Sequence, residues 1–150
     1  MKKFRFSMET VLHYREQLLE ALQIEHAAAI AKVREQEAVV RALQHRFDEV
    51  NQEYRRRKLE GMSIADAAGY DLSLRVQEQE IQKALRVLAE YRKAEEAKRN
   101  EVIAAKTDKA TIEKLKEKKL KLYQKDVQKS EEQFIDEFVS TARVMAGTRQ

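Results

Sequence analysis

The chain contains no cysteine, no proline and no tryptophan, and only three of its 150 residues are glycine. Without cysteine there is neither a disulfide framework nor a thiolate metal site, a composition compatible with a reducing compartment. Proline breaks helices and glycine ends them, so their scarcity leaves few places where a helix could be interrupted. No apolar run approaches the roughly 20 residues needed to span a bilayer. The start, Met1-Lys2-Lys3-Phe4-Arg5-Phe6-Ser7, is basic but lacks the apolar stretch of a signal peptide. A cytoplasmic protein of one domain, residues 1–150, is the expectation. Charged residues make up 37% of the sequence, and Ala, Glu, Lys, Leu, Arg and Gln dominate it. That profile belongs to long helices. The net charge of +4 favours an acidic or anionic partner.

The organising feature runs from Met8 to Tyr54. Alternating steps of four and three trace Met8, Leu12, Arg15, Leu19, Leu22, His26, Ala29, Val33, Gln36, Val40, Leu43, Phe47, Val50 and Tyr54. Only Arg15, His26 and Gln36 interrupt an apolar line. A repeat of about 3.5 residues keeps one narrow stripe on one side of a helix that supercoils around a partner. The other faces are charged or amide, too polar to build a globular core. The three polar seam residues have two readings: they set register, as buried polar groups do in coiled coils, or the pair is loose there.

Ser7 or Thr10 can cap a first helix over about 8–60, with Glu9 in its first turn. Gly61 is the natural stop, and a turn is expected over about 61–71, where Gly69 also lies and where Ser63 could cap a single short helical turn, Ile64 to Ala68. A second helix is expected over about 72–146. Its seam is less regular: Leu74, Ile81, Leu85, Leu88, then Val102, Ala105, Ile112, Leu115, then Leu120, Tyr123, Val127, Phe134 and Phe138 after a shift of phase. The fold class expected is all-α: two long helices in an antiparallel coiled-coil hairpin. Folding about Ala65–Asp66 would set Leu12 against Leu120, and Leu43 and Phe47 against Leu85 and Leu88. The C-terminal helix then overhangs from Ser130 with Phe134, Ile135, Phe138, Val139, Val144 and Met145 unpaired. Apolar residues on an unpaired helix imply something that covers them.

Nothing in this pattern suggests catalysis. A two-helix pair offers no pocket that excludes water. The carboxylate pairs Glu95-Glu96, Glu131-Glu132 and Asp136-Glu137 point in different directions on a helix. His13, His26 and His45 are far apart, although His45 and Glu49 could share an ion. No glycine-rich phosphate loop is present. Neither an enzyme, a cofactor nor a metal is expected. Two basic clusters, Arg55-Arg56-Arg57-Lys58 and the lysine-rich stretch Lys106 to Lys129, come without a nucleic-acid recognition motif; no nucleic-acid partner is expected, and an acidic protein rim fits them as well.

Three motifs carry a family resemblance. Phe4-Arg5-Phe6 followed by Met8-Glu9-Thr10-Val11-Leu12 and Arg15 resembles the N-terminal signature of the FliJ family. Leu115-Lys116-Glu117-Lys118 leading into Tyr123, and Phe134-Ile135-Asp136-Glu137-Phe138 followed by Arg143, are similar to its later motifs. The resemblance implies a component of the flagellar type III export apparatus, cytoplasmic and peripheral to the inner membrane at the flagellar base, and so tied to flagellum biogenesis and chemotaxis. It implies a coiled-coil stalk similar to that of rotary ATP synthases, without a membrane span. The implied partners are the hexameric export ATPase, the cytoplasmic domain of the export gate, and export chaperones that it escorts and recycles. The implied ATPase-ring contacts are Phe4, Phe6, Met8 and Leu12 with Phe134, Ile135, Asp136, Glu137 and Phe138. Asn51-Gln52-Glu53-Tyr54-Arg55 resembles the family's gate-facing segment, which implies gate contacts at Phe47, Val50 and Tyr54, with Leu72, Leu74 and Val76 as their neighbourhood on the return helix. The alternative class is a structural or nucleic-acid-associated coiled coil with no ATPase partner.

Overall fold

The computed structural model describes residues 2–148. Two helices, α1 (Glu9–Glu60) and α2 (Ile64–Thr148), account for most of the described residues, among which there is no strand. This is the all-α helical hairpin expected. The chain divides into two compact units, one of Met1–Leu19 with Ala105–Gln150 and one of Glu20–Ala104, and each is taken by itself.

In the unit of Glu20–Ala104, α1 ends because Gly61 takes a φ of +94°, a left-handed geometry that costs an L side chain heavily and glycine little. Its N–H donates to the Lys58 carbonyl at 3.3 Å. Ser63 then caps α2 directly: its Oγ accepts from the Asp66 N–H at 3.1 Å. The non-helical link is therefore Gly61–Ser63 alone. The stretch from 64 to 71, assigned above to the turn, is helical. Gly69 sits inside α2 with nothing within 4 Å of where a Cβ would lie. A helix-depleting residue is tolerated there because the Ser63 cap has already nucleated the turn before it.

The seam of α1 is as read: Leu22, His26, Ala29, Val33, Gln36, Val40, Leu43, Phe47, Val50 and Tyr54 are all buried or half-buried in this unit. Val40, Ala84 and Leu88 form a core cluster with Val33 and Leu43 packed on it. On α2 the buried line passes through Gln77, Ile81, Ala84, Leu88, Tyr91, Glu95, Lys98 and Val102. Leu85, placed in the seam by hydrophobicity, is exposed, and the smaller Ala84 holds the position beside it. Gln36 Nε2 donates to the Ala84 carbonyl at 3.0 Å, and Tyr54 stacks on Tyr70 at 5.1 Å. These pairings centre the hairpin on Gly61–Met62 instead of Ala65–Asp66. The shift is roughly one heptad, which returns the apolar stripe onto itself, so the pattern alone could not choose between the two registers.

In the unit of Met1–Leu19 with Ala105–Gln150, Phe6, Leu12 and Ile112 form the core, with Phe4, Met8 and Leu115 packed against it. Leu12 thus meets Ile112, not Leu120, the same slip in register. Arg15 reaches Asp108 at 3.4 Å and Lys116 reaches Glu9 at 2.9 Å. The segment before α1 is not helical. It lies along α2, with the Phe4 ring 5.6 Å from Tyr123 and the Tyr123 hydroxyl donating to the Lys2 carbonyl.

Candidate interaction surfaces

Polar chemistry in the Glu20–Ala104 unit concentrates where the seam is weakest. His26 Nε2 lies 2.9 Å from Glu95 Oε1, and Arg99 grips the same carboxylate at 2.7 Å and 2.8 Å. The hydrogen bond from His26, then that from Arg99, holds the Glu95 carboxyl below its ordinary value of 4.5. Glu95 in turn holds the Arg99 guanidinium above its ordinary value. Of the two readings of the polar seam positions, His26 and Gln36 each have a specific cross-helix partner, which fits register setting. Beside them, an open groove of about 530 Å³ is lined by Arg34, Glu37, Arg92 and Arg99 among others. It is a solvated trough between two charged helix flanks. His45 is paired with Glu49 at 2.9 Å, and His13 with Gln17 at 3.2 Å. Among the described residues no group of three His, Asp or Glu is placed to hold a metal ion.

Near the turn, Tyr54 is buried between the Tyr70 ring and the Lys58 ammonium, which lies 4.0 Å from its ring centroid. The Tyr70 hydroxyl accepts from Arg57 at 3.0 Å and donates to Glu53 at 3.2 Å. That first contact holds the Arg57 guanidinium above its ordinary value. Phe47, Val50 and Leu74 are half-buried, whereas Leu72 and Val76 are exposed on α2. Leu59 and Ile64 are each 91% exposed, and the sequence reading did not single them out. Tyr70 was missed as well. Its signal was available: it lies one heptad before Gln77 and continues the α2 seam through residues that hydropathy passes over.

In the other unit the nine residues assigned to the ring contact fall into two sets. Phe6 and Leu12 are buried and Phe4 and Met8 half-buried within the unit's own core. Phe134, Ile135, Asp136, Glu137 and Phe138 are all exposed, as is every residue of α2 from Gln128 to Thr148. Phe134 and Phe138 leave 71% and 68% of their surface in water, an uncommon state for side chains of that size.

The sequence matches the family described as "Flagellar FliJ protein" over residues 4–145. The chain belongs to the FliJ family. That makes it a component of the flagellar export apparatus, in a family of export-associated structural proteins and not of enzymes. No curated protein and no solved structure matches the chain. The matched span of this FliJ protein reaches from the Phe4 strap to Met145, so it takes in the exposed end of α2. Among the described residues, no helix is long and apolar enough to cross a membrane.

Proposed function

We propose that this FliJ protein serves as the stalk of the export machine, associating with the hexameric export ATPase through the uncovered end of α2. The exposure of Phe134 and Phe138 carries this reading. Two large aromatic side chains one helical turn apart in water have no role in the hairpin's own packing, and both fall inside the family match. In this reading Phe134, Ile135, Asp136, Glu137 and Phe138 meet the ring. Phe4, Phe6, Met8 and Leu12 brace α2 just before the contact begins. The export gate meets the surface near the turn. There Leu72 and Val76 offer exposed apolar area, and Phe47, Val50, Tyr54 and Leu74 shape the helices beneath them. Escort of empty export chaperones belongs to the same role, in the cytoplasm and at the inner face of the membrane.

The test is capture of the export ATPase, with nucleotide present, by the parent chain and by Phe134→Ala/Phe138→Ala. Capture by the parent, lost in a variant of unchanged helicity, supports the ring contact. Equal capture by both moves the contact elsewhere on the chain.

A further inference from the structure

The apolar residues at the end of α2 are not scattered. From Ala105 the chain steps by seven and four through Ile112, Lys116, Tyr123, Val127, Phe134, Phe138 and Met145. At about 100° per residue, Tyr123 through Met145 fall within an arc of roughly 60°. The same stripe is buried or half-buried from Ala105 to Val127, where α1 and the Phe4 strap cover it, and exposed from Phe134 onward. The uncovered stripe is thus a direct continuation of a helix–helix interface already formed within this unit. A period of eleven residues, about 3.67 per turn, suits helices that wind slightly right-handed instead of left-handed.

The borders of the stripe have one sign of charge. Beyond Val127 the charged residues flanking it are Glu131 on one side and Glu137 on the other. The cations of that stretch whose positions are described, Lys129 and Arg143, lie on the opposite face by the same helical geometry. We infer that the exposed end of α2 is the open half of a helix pair whose occupant is a single amphipathic helix of a partner protein. That helix bears lysine or arginine beside its own apolar stripe. A narrow apolar line at helical period matches the ridges of another helix, and acidic flanks select basic ones. A second copy of this chain is the disfavoured occupant, since it would set Glu131 and Glu137 against their own kind. This deepens the partner reading above, and rests on it for the claim that the face is covered at all. Its test needs no ATPase, so failure of ring capture and failure of helix recognition are read separately.

The probes are two labelled synthetic peptides with the same apolar stripe at an eleven-residue period, one flanked by lysine and the other by glutamate. Fluorescence anisotropy against the full chain should show the lysine-flanked peptide binding about tenfold or more tightly at low salt. Phe134→Ala and Phe138→Ala should each weaken it about thirty-fold, as central anchors do. Val139→Ser, exposed but off the stripe, should bind as the parent does. The deciding variant is Glu131→Lys/Glu137→Lys, which should reverse the preference between the peptides. No binding of either peptide, equal binding of both, or a preference unmoved by the charge swap overturns the inference. So does self-association, seen by sedimentation, that Phe134→Ala/Phe138→Ala abolishes.

Discussion

Two glycines eight positions apart should respond to the same substitution with opposite signs. At Gly61 the backbone holds φ at +94°, and a Cβ built there meets nothing within 4 Å. The cost of Gly61→Ala is therefore backbone strain alone, about 1–2 kcal/mol. The stiffer unfolded chain offsets about 0.4–1 kcal/mol of it. At Gly69 the residue is helical and the space is equally open. Gly69→Ala should stabilise by about 0.5–1 kcal/mol, the ordinary helix-propensity difference. The two variants should thus differ by roughly 1.5 kcal/mol. With a urea m-value of about 1–3 kcal/mol/M, their midpoints should separate by on the order of 1 M. Far-ultraviolet circular dichroism during urea titration measures this directly. If Gly69→Ala lowers the midpoint as Gly61→Ala does, α2 does not run through Gly69 and the short turn centred on Gly61–Met62 is wrong.

Leu88→Ala and Leu12→Ala, each at a side chain only 4% exposed, should cost about 2–3 kcal/mol by urea titration. The estimate sits at the lower end for leucine because a two-helix seam collapses more easily than a globular core. Gln36→Leu should change stability by less than about 1 kcal/mol, because the Ala84 carbonyl it contacts also belongs to a helix ladder. Glu95 titrates below its ordinary value when folded, so its ionised form adds stability above about pH 4.5, and that stability is lost as pH falls through the folded value. Between pH 5 and pH 2 the parent should therefore lose more helicity-monitored stability than Glu95→Gln, with equal losses counting against the His26–Glu95–Arg99 cluster.

The α1 seam was fully legible because its polar members, Arg15, His26 and Gln36, are few and lie between unambiguous leucines and valines. On α2 the same stripe passes through Gln77, Ala84, Glu95 and Lys98, and hydropathy drew the eye to Leu85 instead. The hairpin register was off by about a heptad for a reason intrinsic to repeats: a slip of seven changes every partner and preserves every face. What fixes the register is the turn, where Gly61 and Ser63 act within three residues and Gly69 takes no part. The unpaired end of α2 was readable from length and apolar content. The strap was not. Phe4, Phe6 and Met8 are as apolar as Phe134 and Phe138, and sequence does not say which aromatic finds its cover within the chain.

The uncovered end of α2 is helical because it grows from a helix that already exists. Propagating a helix adds one hydrogen bond per residue fixed, whereas starting one carries a nucleation constant near 10⁻³, about 4 kcal/mol. Residues 128–148 inherit their first turns from the portion of α2 clamped by Phe6, Leu12 and the Tyr123 contact. Cut free as a peptide, they would have to nucleate alone and would spend much of their time as coil. Loosening the strap by Phe4→Ala should therefore fray a surface more than a helical turn away, with no contact between the two.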